Sequence, residues 1–345
     1  MIAEKQGQTL FSGKEKREGM IHPLYSAVLA FACFLAPAAS TAQLAEKKMA
    51  RVAVFAIGPL TPQRQRNFDA LRDELRTRGW EDGRNLLLAY HHAQDRPEHL
   101  PEVAASLARQ PLDAIVAFGG SSAALALRKA TGTIPIVMIA ATDPVREGLV
   151  RSLARPGGNV TGTIVQHADL GAKRLEILKE ALPDVAKVAV LYNVAELEPL
   201  KKAAPGLGVQ LQLHRVHTPH EIESAFAAMR GDGADAVLVM PDAEVLEKNL
   251  RLVTSVAAQH RLPSIYAWRT YLDLADGLMS YGPSLPGLNR RAAYFVDRIL
   301  RGTKPADLPV EFPKEFELVI NLRAAKTLGV TISQRTLSRT DQIIQ

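Results

Sequence analysis

Four residues in a row, Gly119-Gly120-Ser121-Ser122, follow the apolar run AIVAF and lead into ALALRKA. Glycines let the backbone approach a bound group closely, and the free N–H groups of a helix start favour a carboxylate. Ser121 or Ser122 can cap that helix and still offer a hydroxyl to a ligand. The same turn lies close to a G-x-S-x-G nucleophile elbow, with Ala124 where the last glycine would stand. A serine hydrolase would also need an acid and then a histidine at later strand ends. Asp242 is available, but His260 falls near a helix end and no later histidine sits in a strand-end loop. The pattern therefore favours anion binding over hydrolysis.

Other polar residues follow apolar runs in the same way. In open parallel sheets ligands sit beyond the carboxyl ends of the strands. Thr142 and Asp143 follow IPIVMIA, Asn193 follows KVAVLY, Asp242 follows VLVMP, and Trp268 follows the SIY segment. Thr142 is the better ligand contact of its pair, because Asp143-Pro144 suits a helix start. Asp242 can hold an ammonium group opposite the serines, or cap a helix through AEVLEKNL. Trp268 and Tyr281 can stack on an aromatic or cationic ligand, or pack in the core.

Metal and nucleotide chemistry find no support. His214, His217 and His220 straddle a strand, a loop and a helix start, and His91-His92 point to opposite faces of a strand. Neither G-x-G-x-x-G nor G-x-x-x-x-G-K-[ST] occurs, so the phosphate loops of dinucleotide- and nucleotide-binding proteins are missing. No metal and no cofactor is expected.

Positioning these residues requires α/β architecture. Strands RVAVFAI, NLLLAYHH, DAIVAF and IPIVMIA alternate with helices from Gln63, Pro97 and Ser122, which predicts a parallel sheet covered on both faces. Asp143-Pro144 is expected to open a short helix that Pro156-Gly157-Gly158 stops, after which Asn159 to Gly162 leads out of the first lobe. The pattern restarts with AKRLEILKEAL and strands KVAVLYN, VQLQLHRV, ADAVLVM and LPSIYAW, separated by helices. A helix is expected from Ala243 through Gln259.

The chain has 345 residues, 47% of them hydrophobic, which suits two lobes rather than one core. A net charge of +6 raises the question of nucleic acid. Lys and Arg are interspersed with acids and no aromatic-rich basic stripe appears, so a solvated surface explains the charge. Lys14, Lys16 and Arg17 precede the apolar run LYSAVLAFACFLAPAAS, and Ser40-Thr41-Ala42 offers small residues for a signal peptidase. Residues 1–42 are thus expected to be an export signal. The lone cysteine, Cys33, lies inside it, leaving 345 − 42 = 303 residues without a thiol, in keeping with the periplasm.

The segment DPVREGLVRSLARPGGNVTG (from Asp143) resembles a signature of periplasmic substrate-binding proteins of ABC importers of the tryptophan/tyrosine-uptake type. The resemblance continues through KRLEILKEALP (from Lys173), DGLMSYGPS (from Asp276), the long block from Arg290 to Val330, and LSRTDQIIQ. It implies a type I periplasmic binding protein fold: two Rossmann-like parallel-sheet lobes joined by a multi-crossing hinge. The implied lobes are 50–161 with about 277–316, and 162–276 with about 317–345. From Leu278 the chain would return to the first lobe, and FELVIN would carry it back to the second. The implied function is capture of an amino acid in the inter-lobe cleft, for which the candidate residues read above are Ser121, Ser122, Thr142, Asp143, Asn193, Asp242, Trp268 and Tyr281. The protein would be a monomer that delivers its ligand to ABC permease subunits, or would report it as a sensing module. One departure is the short stretch VAELEPLKKAAPGLG after Asn193, where the family carries a longer loop and a full helix.

Overall fold

Along Ala50–Ala56 (β1) successive side chains are buried on both faces: Val52 and Val54 enter one core, Ala53 and Phe55 another. A strand buried on both sides reads as an unbroken apolar run and needs helices over both faces. The computed structural model describes residues 49–345 except 166, 167, 194, 196, 243 and 244. The expected export signal with Cys33 lies outside the described residues.

The first half continues with α1 (Pro62–Thr77), β2 (Leu86–His92), α2 (Leu100–Ala108), β3 (Ala114–Phe118), α3 (Gly120–Ala130), β4 (Ile136–Ala141) and β5 (Val160–Ile164). The second runs through α4 (Ala168–Ala181), β6 (Lys187–Tyr192), α5 (Glu198–Ala203), β7 (Gln210–Arg215), α6 (Glu221–Gly231) and β8 (Ala236–Val239). It continues with α7 (Leu250–Gln259), β9 (Ser264–Tyr266), α8 (Thr270–Asp273) and β10 (Met279–Pro283). The remainder is α9 (Leu285–Leu300), β11 (Phe316–Asn321), α10 (Leu322–Leu328), α11 (Gln334–Leu337) and β12 (Gln342–Ile344).

Two sheets result. The first has order β2-β1-β3-β4-β5 and is parallel throughout. The second has order β12-β11-β10-β9-β8-β6-β7. It is mixed rather than all parallel, because β10 and β11 pair antiparallel, Tyr281 opposite Leu318. Helices α1 and α9 share a core with one face of the first sheet, through Leu71, Leu75, Ala292 and Phe295. In the second sheet Val188 and Val190 pack toward α4, and Ala189 and Leu191 toward α6 and α7.

Three segments pass between the halves: β5 to α4, β10 to α9, and the stretch from Val310 into β11. They are tied to one another. Glu311 N–H donates to the Gly162 carbonyl and Ile164 N–H to the Glu311 carbonyl, each at 3.0 Å, and Ser284 N–H reaches the Glu315 carbonyl at 3.0 Å.

Sheet membership differs from the expected boundaries at two points. Val160–Ile164 is a whole strand of the first sheet, so that sheet runs past Thr161. Gly162 does not turn the chain out; with φ +134 it lets β5 lie directly against the Met138 backbone. Met279–Pro283 is a strand of the second sheet, because β10 pairs with β9, and the crossing comes only after Pro283.

Two expected helices also differ. After Asp143 the chain forms turns, not a helix: the Pro144 carbonyl accepts from both Leu149 N–H and Val150 N–H, at 2.8 and 3.1 Å. Gly148 adopts φ +72 there, and Leu149 and Val150 tuck into the core. The helix expected from Ala243 begins only at Leu250, preceded by turns over 245–249.

Candidate functional site

The first half prepares an N–H-rich turn at the carboxyl edge of its sheet. Helix α3 is capped by Gly119, not by a serine, and Gly120 has φ +62. A Cβ at Gly119 would lie 3.1 Å from Ala123 Cβ and from Ile57 Cγ1, so the turn fits tightly between strand ends. Ser121 and Ser122 fall in the first helical turn, whose N–H groups have no intrahelical acceptor. Ser121 Oγ accepts from Thr142 N–H at 3.1 Å, joining the turn to the end of β4, while Ser122 is exposed.

The β4 end is itself unusual. Ala140 has φ +58, in the left-handed region that a residue with a Cβ seldom occupies, and the β4–β5 register shifts between Met138 and Ala141. The irregularity is held from β5: Thr163 Oγ1 accepts from Ala140 N–H at 3.3 Å. Backbone strain of this kind, about 1 kcal/mol or more, persists only where the surroundings enforce it. Asp143 is occupied locally; its Oδ1 accepts from Arg146 N–H at 3.1 Å.

In the second half the structure links Asn193, Asp242 and Trp268 through a residue that the sequence pattern missed, Glu247. Asn193 Nδ2 donates to Asp242 Oδ2 at 3.2 Å. Asp242 Oδ1 accepts from Val245 N–H at 2.5 Å and Leu246 N–H at 3.1 Å, so this carboxylate caps the turn after β8. Glu247 N–H reaches the Asp242 carbonyl at 2.9 Å, and Trp268 Nε1 donates to Glu247 Oε1 at 2.8 Å. Burial pushes the Glu247 carboxyl up to about 7, against the pull of the Trp268 N–H. The Asp242 carboxylate adds to the rise, and the Asp242 N–H and Arg174 oppose it.

Arg174 was also missed. It is fully buried, and desolvation brings its guanidinium down to about 10. Nε donates to the Tyr281 carbonyl at 2.7 Å, whereas Nη1 and Nη2 have no hydrogen-bond partner among the described residues. Its position was visible in the spacing: Gly171, Arg174, Leu175, Leu178 and Ala181 share one face of α4, and that face is the apolar one. Tyr281 contributes this carbonyl, while its ring stacks on Phe316 with centroids 6.1 Å apart and packs against the second core.

The two carboxyl edges approach each other. Trp268 packs against a core of each half. Arg66 Nη2, on α1, pairs with Asp273 Oδ2, on α8, at 2.8 Å. Beside that pair a cavity of about 200 Å³ is lined by residues of both halves, among them Gln63, Asn67, Leu285 and Gln342. Among the described residues no group of three or more His, Cys, Asp and Glu is arranged to hold a metal ion.

Two α/β halves, three tied crossings and facing polar strand ends form the frame in which known proteins can be compared. Residues 51–344 match the family model of ABC transporter substrate binding proteins. The chain belongs to this family. It is therefore a substrate-binding protein of an ABC transporter. It is similar to the tyrosine-binding protein of Clostridioides difficile (strain R20291), at 29% identity over 262 residues and 74% of each chain. Among solved structures it is similar to a conserved domain protein of Vibrio cholerae O1 biovar El Tor, at 32% identity and TM-score 0.70. That match covers 86% of this chain and 100% of the other. It is also similar to a Streptococcus pneumoniae ABC domain in complex with L-Trp, at 26% identity and TM-score 0.70, over 86% and 99% of the two chains. The α/β architecture of these neighbours is the one described above.

Proposed function

We propose that this protein captures an amino acid, of the aromatic class, in the cleft between its halves and presents it to the permease of an ABC importer. One observation carries the reading: an N–H-rich helix start at Gly119-Gly120-Ser121 on one carboxyl edge and a carboxyl-bearing network from Asn193 to Trp268 on the other. A zwitterion places a carboxylate at the first and an ammonium at the second. In this reading Thr142, Asp143 and Ser122, at strand ends of the first half, adjoin the carboxylate, while Tyr281 contributes through the carbonyl that holds Arg174. The binding of tyrosine and of L-Trp named for two relatives supports an aromatic side chain, with Trp268 as its platform.

The mechanism is hinge closure. Contacts from both halves exist together only when the cleft is shut, so the ligand shifts the population toward the closed form. The protein acts as a monomer exported to the periplasm. Its role is ligand capture rather than catalysis, in keeping with its family of substrate-binding proteins.

A thermal-shift and calorimetric screen of the purified protein against the amino acids tests the reading. A ligand at 100 times its dissociation constant adds about 2.7 kcal/mol of stability. A shift with tryptophan or tyrosine is expected. Binding of another solute class, with no response to any amino acid, would overturn the ligand assignment.

A further inference from the structure

Asp242 is the obvious acid of the second half, yet its carboxylate is already used. Three donors converge on it: Val245 N–H and Leu246 N–H at Oδ1, and Asn193 Nδ2 at Oδ2. A carboxylate accepts about four hydrogen bonds. Glu247 is in a different position. Among the described residues its one side-chain donor is Trp268 Nε1, and the residue keeps partial exposure while its carboxyl is desolvated.

The groups around Glu247 are incomplete as a set. Among the described residues, Arg174 Nη1 and Nη2 and Tyr271 Oη are buried without hydrogen-bond partners, on residues 0% and 1% exposed. Both side chains lie within electrostatic reach of Glu247. No ion pair joins Arg174 to Glu247 among the described residues, so the buried cation does not neutralise the carboxyl by contact. Asp242 and Glu247 when ionised outweigh Arg174 by one negative charge. The Trp268 N–H and, to a smaller degree, Arg174 keep Glu247 in reach of ionisation despite burial, and an arriving cation completes the balance.

We propose that Glu247, not Asp242, receives the ammonium group of the ligand, with Trp268 and Arg174 as its positioning residues. This rests on the amino-acid reading given above. The Trp268 indole would then bind in two ways, its N–H orienting the Glu247 carboxyl and its ring bordering the ligand side chain.

Three probes separate the possibilities: L-tryptophan, indole-3-propionate (the same ring and carboxylate without the amine) and tryptamine (the amine without the carboxylate). Affinities are measured by calorimetry for the parent, Glu247→Gln and Asp242→Asn. The parent is expected to prefer L-tryptophan over indole-3-propionate by about 10- to 100-fold, the range for a charge-assisted hydrogen bond. In Glu247→Gln that preference should shrink to under about 3-fold, with affinity for indole-3-propionate unchanged. The parent alone gives a second readout. Facing Glu247 are Asp242 from its own loop, Arg174 from α4, and Trp268 and Tyr271 after β9. Affinity for L-tryptophan should be flat above about pH 7 and fall as the Glu247 carboxyl protonates below it, and Glu247→Gln should abolish that fall.

Equal losses for L-tryptophan and indole-3-propionate in Glu247→Gln would overturn the assignment, as would collapse of the preference in Asp242→Asn alone. Glu247-dependent binding of tryptamine without binding of any amino acid would keep the ammonium site and overturn the ligand class. Binding of none of the three probes overturns both.

Discussion

Arg66 Nη2 and Asp273 Oδ2 are 2.8 Å apart, joining α1 of the first half to α8 of the second across 207 residues of sequence. The pair is asymmetric. Arg66 is half-exposed, whereas Asp273 is 13% exposed and also accepts from Arg269 Nε at 2.9 Å. Arg269 in turn donates to Gln342 Oε1 at 2.7 Å. Removing Arg66 takes away an exposed partner; removing Asp273 leaves a partly buried arginine without its main acceptor. Arg66→Ala is expected to cost no more than about 1 kcal/mol in urea denaturation. Asp273→Ala should cost about 2–3 kcal/mol. Because the pair spans the halves, Arg66→Ala should also enlarge the ligand-free protein in small-angle scattering. Equal stability losses and unchanged dimensions would show that the pair is no clamp.

Gly162→Ala should be among the most damaging small substitutions. An added Cβ would meet the Met138 carbonyl inside contact distance and Met138 N at 2.7 Å, and both are strand backbone that cannot give way. The φ of +134 is a second obstacle. A loss of more than about 3 kcal/mol, or insoluble protein, is expected. Gly158→Ala, with nothing within 4 Å of the added atom, serves as the control and should stay within about 0.5 kcal/mol of the parent.

Arg174 presents a buried charge whose terminal nitrogens have no hydrogen-bond partner among the described residues. Replacing such a group by an apolar residue of similar length is often neutral or stabilising. Arg174→Met should therefore match or exceed the parent in stability, even though the Tyr281 carbonyl loses its Nε donor. Arg174→Ala leaves a cavity instead, and should lose about 2–4 kcal/mol. A severe loss in Arg174→Met would mean that the guanidinium is satisfied in the native protein.

Glu247 gives a pH signature in stability. Its carboxyl is raised from 4.5 to about 7 in the folded protein, so the native state holds its proton where the unfolded chain has released it. The parent is then most stable, in this respect, below pH 4.5 and loses stability as pH rises to about 7. Glu247→Gln has no such proton to lose. Its stability relative to the parent should climb across that window, by at most about 1.4 kcal/mol for each pH unit, and hold above it. A pH-independent difference between the two proteins would contradict this.

Ser121 and Ser122 should behave differently although they are neighbours. Ser121→Ala removes the acceptor for Thr142 N–H, and should cost about 0.5–1.5 kcal/mol. Ser122 is exposed, and its alanine variant should change stability by less than about 0.5 kcal/mol. Chemical denaturation of the two variants side by side decides the matter.

What the sequence made legible follows from burial. β1, β3, β4, β6 and β8 lie between two helical layers, and their runs of Val, Ile, Leu and Ala were readable for that reason. β5 escaped notice because Gly162 and its flanking threonines resemble a turn, although Val160, Thr161, Thr163 and Ile164 are all β-branched. The membership of β10 was not local information, since it depends on pairing with β9 and β11. At the proposed site, the strand-end rule points to Ser121, Thr142, Asp242 and Trp268. It could not find Glu247, which lies five residues beyond the strand-end Asp242 in a turn that reads as helix. Nor could it join Arg66 to Asp273, a contact that exists only once both halves are assembled.

The packing of α1 on α9 sets a schedule for biosynthesis. Leu71 and Leu75 are buried against a helix that starts 285 − 77 = 208 residues after α1 ends. At about 5–20 residues per second, the ribosome exposes that apolar stripe for roughly 10–40 seconds before its cover exists. The first sheet cannot mature as an independent N-terminal unit, because its last layer is among the later segments to be made. Nascent chains truncated before Leu285 should consequently remain sticky and open to holding chaperones.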